Sequence, residues 1–351
     1  MSGNTFGRLF RLTTYGESHG SGIGGVIDGC PPGIELDEAL LQAELDRRRP
    51  GQGGISATPR REPDAVSILS GVFEGRTTGT PIAFHIANTA HQSGDYDALR
   101  SVYRPGHADF TYEAKYGCRD HRGGGRSSAR ETAARVAGGA VARAFLKRHA
   151  ITVRGACTAF GGIPATSLDM EGASLRPYYA ADDVSVPVWD NAVREAKHLG
   201  DSLGGLVRIE VSGVMPGLGE PVFDRLDALF AHALMSVGAV KGVEVGSGFA
   251  AAAMKGSEHN DGMARSGFIS NNAGGILGGI STGQSIVLTV AVKPIPSISK
   301  EQQTLTREGV ETTISVGGRH DVSAIPRIVP VLEAMTALVL ADALLMQRAA
   351  V

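Results

Sequence analysis

Residues 9–27 read Leu9-Phe-Arg-Leu-Thr-Thr-Tyr15, Gly16-Glu-Ser-His-Gly20, Ser21-Gly-Ile-Gly-Gly-Val-Ile27, and their order decides the architecture. Leu9–Tyr15 and Ile23–Ile27 have the composition of strands, and only a glycine-rich segment separates them. Parallel neighbours need a crossover of a dozen or more residues, so these two runs predict an antiparallel pair. Two familiar motifs overlap here. Gly16-Glu-Ser18-His19-Gly20 fits G-x-S-x-G, and Gly20, Gly22 and Gly25 fit G-x-G-x-x-G. A serine nucleophile elbow and a dinucleotide loop both require a helix directly after the glycines. An extended segment follows instead, so both motifs fail on context. A tight turn between strands is the plainer reading, and it leaves Ser18 and His19 where a side chain can face a cavity.

Working outward, Val66–Val72, Pro81–Ala87, Ile151–Phe160, Leu206–Val214 and Ser285–Val292 read as further strands, bounded by Gly, Pro or Asp. A helix is expected from Asp37 to Arg49, stopped by Pro50. A second is expected from Ser128, where Ser128-Ala-Arg-Glu131 has capping-box spacing, to about Arg148. Others open at Asp224 and near Pro330. Most strands lie too close together for regular βαβ alternation. The expected fold is α+β, one domain over residues 1–351 with helices packed on antiparallel sheets. Two strand-then-helix halves, divided near residue 200, suggest internal pseudo-symmetry.

Composition narrows the function classes. Forty-two per cent of the 351 residues are hydrophobic, enough for a sizeable core and incompatible with a disordered or collagenous chain. The 48 glycines are about double the ordinary share of about 7%. Lys and Arg number 34 against 36 Asp and Glu, which excludes a protein that coats nucleic acid by bulk charge. Cys30, Cys118 and Cys157 are sparse and lack Cys-x-x-Cys spacing, as expected of reduced thiols in the cytoplasm and not of a disulfide frame or a metal site. Arg8 and Arg11 precede no apolar stretch of the kind a secretory signal has. Glu333 and Asp342 interrupt the long apolar run Val331–Met346, so no membrane span is expected.

Several Arg, His and Gly clusters could carry chemistry. Tyr103-Arg104-Pro-Gly-His107-Ala-Asp109 places Arg104 and His107 on a turn set by Pro105 and Gly106, which alone would also suit a polar surface loop. Arg122-Gly-Gly-Gly-Arg126-Ser127-Ser128-Ala-Arg130-Glu131 runs glycines into a helix start with hydroxyls and arginines beside it. Acidic residues are the usual first-turn choice, so arginines there favour a bound anion over a solvated cap, and the absence of Gly-Lys-Ser/Thr excludes a P-loop. Arg47-Arg48-Arg49 complements a helix C-terminus. Asn271–Gly283 offers close backbone approach to a flat ligand or a packed glycine hairpin. Lys293-Pro-Ile-Pro-Ser297 is a rigid loop headed by a cation, and Gly318-Arg319-His320-Asp321 puts a guanidinium, an imidazole and a carboxylate on one turn.

Taken together these stretches resemble the chorismate synthase family. Its motifs are matched by Gly-Glu-Ser-His-Gly at 16–20, Arg-Pro-Gly-His-Ala-Asp at 104–109 and Arg-Gly-Gly-Gly-Arg-Ser-Ser-Ala-Arg-Glu-Thr at 122–132. Further matches are Gly-Leu-Gly-Glu-Pro-Val-Phe-Asp at 217–224, Ala-Val-Lys-Gly-Val-Glu at 239–244 and Gly-Arg-His-Asp at 318–321. The resemblance implies helices sandwiched between antiparallel sheets, a homotetramer, and a 1,4-anti elimination of phosphate from 5-enolpyruvylshikimate 3-phosphate. Reduced FMN would lend an electron and recover it with no net redox change, and NADPH is an indirect reductant. Neither the C3 nor the C6 position of that substrate is activated by a carbonyl, and its phosphate and two carboxylates call for a basic pocket in a chain that is not basic overall.

By the same resemblance His107 would protonate or hydrogen-bond the flavin and His19 would assist the leaving phosphate as an acid, roles within the ordinary range of an imidazole. Asp321 would help remove the C6 hydrogen, with Ser18 and Ser127 beside flavin and substrate. Flavin contacts would come from Arg126, Ser127, Ser128, Gly238, Ala239, Gly278, Lys293, Pro294, Ile295, Pro296, Ser297 and Arg319. Arg48, Arg104 and Arg130 would hold the substrate anions, Arg48 being linked to the nucleotide as well. The chain departs from the family pattern in two places. Gln52–Thr58 lacks an arginine common after the triple-arginine run, so that either Arg60 or Arg61 replaces it or the contact is absent, and glycine at 238 stands where asparagine is common. A serine hydrolase on Ser18 and a non-catalytic phosphometabolite-binding protein are the competing readings.

Overall fold

The hairpin at 9–27 forms without a helix. In the computed structural model, which describes residues 3–49, 54–56, 64–88, 99–317 and 321–350, β1 (Thr5–Phe6), β2 (Arg11–Gly16) and β3 (Gly22–Asp28) are antiparallel, with Thr13 opposite Val26 and Tyr15 opposite Gly24. β4 (Val66–Ile68) is shorter than the expected Val66–Val72, because a bend at Ser70–Gly71 sends the chain into a small hairpin, β5 (Val72–Phe73) and β6 (Arg76–Thr77). β7 (Ile82–Ala87) buries Ile82, Phe84 and Ile86 with strict alternation and completes a sheet of order β1-β2-β3-β7-β4.

The second sheet comprises β8 (Thr152–Phe160), β9 (Ile163–Pro164), β10 (Gly205–Ser212), β11 (Val240–Val245) and, beyond the hairpins β12–β13 (Met263–Ala264, Gly267–Phe268) and β14–β15 (Ile276–Leu277, Ile280–Ser281), β16 (Ile286–Val292). Its order is β11-β16-β10-β8-β9 and every pairing is antiparallel. β8 lies before residue 200 and pairs with β10 beyond it, so the chain divides ahead of residue 152, not near 200. A last hairpin pairs β17 (Gln302–Leu305) with β18 (Glu311–Ile314).

Helices fill the space between the sheets. Asp37 caps α1 (Glu38–Arg48) by accepting a hydrogen bond from the Leu40 N–H. α2 (Asp109–Tyr116) and α4 (Ser185–His198) have no counterpart in the sequence reading. α3 (Thr132–Lys147) packs against β2 and β3 on one side and α7 (Ile325–Ala350) on the other, while α7 packs against β8 and β10. Small residues set this spacing. A Cβ on Gly138 would stand 2.7 Å from Leu12 and one on Gly139 2.3 Å from the Ala334 Cβ, so only glycine lets α3 lie so close to both neighbours. α5 (Leu226–Met235) and the single turn α6 (Gly256–His259) complete the set.

Three helix starts differ from expectation. Ser128 caps a 3-10 turn, Ala129–Glu131, by accepting from the Arg130 N–H, and Glu131 pairs with Arg135 instead of reaching back, so α3 begins at Thr132. α5 begins at Leu226 because Asp224 pairs with Arg8. α7 starts at Ile325, with Pro326 in its first turn, and runs straight through Pro330, whose missing N–H removes one bond near the start. By length and composition α7 could cross a membrane, yet 94% of its most apolar window is buried inside the fold. Its two acids are occupied. Glu333 accepts from Arg47, Arg143 and the Gly155 N–H, and Asp342 from the N–H groups of Arg8, Leu9 and Phe10.

Candidate active site

Gly123, Gly124 and Gly125 have φ of +71°, +92° and +54°, a left-handed run that side chains rarely adopt. Side chains from two distant segments rest on this loop. A Cβ on Gly123 would lie 2.6 Å from His19 Cε1, and a Cβ on Gly124 would lie 2.8 Å from His107 Cε1. The β2–β3 turn and the 104–109 turn therefore deliver their imidazoles to consecutive glycines. Ser18 Oγ is 3.2 Å from His19 Nδ1, and the Ser127 hydroxyl donates to the Gly124 carbonyl at 2.7 Å, closing the loop on itself.

His107 is held from behind. Its Nδ1 is 3.0 Å from Asp109 Oδ1, and Arg104 donates to both Asp109 oxygens at 2.8 Å. The Arg104 N–H also reaches Asp109 Oδ2, and Arg119 Nη1 stands 3.8 Å from Oδ1. Burial on its own would raise the Asp109 pKa; hydrogen bonds from Arg104 and His107, with their charges, prevail and hold the carboxyl far below the usual carboxylate range.

A cavity of about 1370 Å³ opens beside the glycine loop, and His107, Arg126, Ser127, Ser128, Gly238, Ala239, Lys293, Ile295, Pro296, Ser297, Arg48, Arg104 and Asp321 all contribute to its wall. His19 and Ser18 stand behind Gly123, which is itself part of the wall. Gly278 lies apart, exposed on the β14–β15 turn, and Pro294 and Arg130 sit just behind lining neighbours. Arg319, Gln52, Arg60 and Arg61 fall outside the described residues.

The cations differ in what they already hold. Arg48, 1% exposed, donates to Thr132, the Ala129 carbonyl and Asp64, and Arg130 pairs with that same Asp64 and with Asn88. Two guanidinium groups thus meet on one carboxylate. Arg126 donates to the Gly16 and Thr14 carbonyls, the Thr14 hydroxyl and the Asn4 amide oxygen, all uncharged acceptors. Lys293 donates to the Gly106 carbonyl at 2.8 Å; burial and then the neighbouring Lys241 charge pull its ammonium below the ordinary value. Asp321 accepts from Arg327 at 3.1 Å.

A chorismate synthase family model matches residues 10–345. This chain belongs to the chorismate synthase family. It is 65% identical over 348 residues to the chorismate synthase of Oleidesulfovibrio alaskensis, covering 99% of this chain and 98% of that one. The chorismate synthase of Syntrophobacter fumaroxidans is 59% identical over 345 residues, with 98% of each chain covered. A crystal structure of chorismate synthase superimposes with a TM-score of 0.78 at 34% identity, over 97% of this chain and 93% of that chain. The chorismate synthase fold is therefore the fold here, an α+β sandwich of antiparallel sheets around helices. Asp109, Arg119, Asp64 and Lys241 are the site residues that sequence reasoning left without a role. The only signal for Asp109 was its place two residues after His107, and Asp64 carried none, being joined to Arg48 and Arg130 by tertiary packing alone.

Proposed function

We infer that the chain is a carbon–oxygen lyase that converts 5-enolpyruvylshikimate 3-phosphate to chorismate and phosphate by 1,4-anti elimination, with reduced FMN as cofactor. The observation that carries this reading is the pair of imidazoles on consecutive glycines of one loop, beside a cavity lined by Arg126, Lys241 and Lys293.

The residues present suit a flavin. Gly123, Gly124 and Gly238 bring bare backbone to the wall, giving a flat ring close approach, and Lys241, Lys293 and Arg126 supply cations for a phosphate tail. Ser127, Ser128, Ala239 and the 293–297 loop belong to the same cradle, and Gly278 would have to come from elsewhere in an assembly. When bound, the reduced cofactor supplies transient electron density to a substrate with no activating carbonyl. The chain's own residues do the rest. His19, with Ser18 at its Nδ1, gives a proton to the departing phosphate oxygen. His107 offers a proton or a hydrogen bond to the cofactor ring. Asp321, steered by Arg327, is the carboxylate at the site where C6 loses its hydrogen. Arg48 and Arg104 contribute charge at the wall and Arg130 from just behind it, their geometry fixed by Asp64 and Asp109, and Arg126 makes the more direct anion contact.

The hydrolase alternative has only the Ser18–His19 contact, made by sequence neighbours on a strand-to-strand turn. Anaerobic turnover with dithionite-reduced FMN tests the elimination. Product formation that survives a fluorophosphonate reagent upholds it, whereas ester hydrolysis without flavin, or tight substrate binding with no turnover, would replace it. Running the assay with FMN and NADPH alone decides whether this chain reduces its own flavin. A cytoplasmic homotetramer completes the proposal, in keeping with the unpaired cysteines and with apolar surface at Phe223, Phe249 and Met263; light scattering on the purified protein checks the stoichiometry.

A further inference from the structure

We propose that Asp109 is a positioning residue that fixes the tautomer of His107, holding the proton on Nδ1 so that all proton exchange with the cavity passes through Nε2. Asp109 is the first residue of α2, and its carboxylate folds back over the 104–108 turn to meet the residues that precede it. Three donors converge on it: the Arg104 side chain at both oxygens, the Arg104 N–H at Oδ2, and His107 Nδ1 at Oδ1.

The geometry leaves the ring one consistent protonation pattern. Nδ1 is 3.0 Å from both Asp109 Oδ1 and Arg104 Nη2. A bare Nδ1 could accept from Arg104, but it would then press its lone pair against a carboxylate oxygen. With the proton on Nδ1, Arg104 and His107 both donate to Oδ1, and Arg104 loses nothing, because its Nη2 already reaches that oxygen at 2.8 Å. Arg104, a second guanidinium at Arg119 and the start of α2 keep Asp109 ionised, so it orients the ring without taking its proton. The opposite edge, Nε2, has no hydrogen-bond partner among the described residues, and its ring borders the cavity beside Gly124. A neutral ring thus presents an acceptor to the cavity, and a protonated ring presents an N–H at the same place.

The role of the tautomer in turnover rests on the elimination reading above, whereas the tautomer itself does not. The first measurement therefore uses the wild-type protein with ¹⁵N-labelled histidine, His107→Ala assigning the signals. A neutral His107 protonated at Nδ1 is expected; one protonated at Nε2 overturns the proposal whatever the protein catalyses. The second is steady-state turnover of Asp109→Asn under reduced FMN, with a loss in kcat of about 10²- to 10⁴-fold and KM within about twofold. The double variant Asp109→Asn/His107→Ala should be no slower than His107→Ala alone. Additive losses would mean that Asp109 serves the fold and not the ring. If no chorismate forms under any condition, the functional reading fails while the nuclear magnetic resonance result still decides the tautomer.

Discussion

A methyl group at position 124 would have nowhere to go. Gly124 has φ +92°, and its added carbon would lie 2.8 Å from both His107 Cε1 and Ser127 Oγ. Displacing a reacting group by about 1 Å can cost about 10²-fold in rate, so Gly124→Ala is expected to lower turnover by that order while circular dichroism stays as in the wild type. An unchanged kcat would show that the position of the imidazole is immaterial. Asp109 gives a prediction of a different kind. Its folded pKa lies below its unfolded value, so the stability it contributes is complete above about pH 4 and is lost as pH falls toward the folded value. Acid unfolding of Asp109→Asn should therefore lack that part of the descent, with the steepness of urea-derived stability against pH as the measure. At this scale the histidines, Ser127 and Asp321 were legible because motif spacing marks them. Asp64 and Arg119 were not, because an acid or a guanidinium acquires its role only from whatever packs against it.

The segment from Arg122 to Thr132 shows what spacing can and cannot specify. Its glycines and hydroxyls were read as running into a capped helix; two 3-10 turns, Gly125–Ser127 and Ala129–Glu131, intervene before α3. A capping box needs the acid free to turn back, and Glu131 is drawn forward to Arg135 one helical turn on. The proposed anion site consequently rests on the loop and on Arg126 more than on a helix dipole. Arg126→Ala should weaken FMN or substrate binding by about tenfold at low salt and by less as salt rises; an affinity that is salt-independent and unaltered would assign Arg126 to tethering β2 alone. The central strands were legible because alternation of the Val207-Arg208-Ile209-Glu210-Val211 kind survives in any context, whereas β11 and the β17–β18 hairpin went unread. α2 and α4 went unread, although α4 buries Trp189, Val193 and Ala196 at helical spacing, and α7 was cut short because Pro330 looked like a beginning when Pro326 already served as one.

Across the whole molecule, one carboxylate ties the layers together. Glu333 on α7 is 3% exposed and binds Arg47 of α1, Arg143 of α3 and the backbone of β8. Glu333→Ala would leave half-buried Arg47 with Glu44 as its acid and the Gly155 N–H without an acceptor. A loss of about 2–3 kcal/mol in urea unfolding is expected, and a loss under about 1 kcal/mol would mean that the network is dispensable. Antiparallel pairing was foreseeable from the close spacing of the strands, and the sandwich from the family resemblance; the place where the chain divides was not, since pairing between β8 and β10 is a long-range contact with no local signature.

The position of α7 in the chain has a further consequence. During synthesis α3 can settle on β2 and β3, but the second sheet leaves the ribosome before α7, so the face formed by β8 and β10 stays wet and sticky until that helix arrives. Folding cannot then finish piece by piece behind the growing end, and nascent chains of this protein should be steady customers of chaperones that shield greasy surfaces.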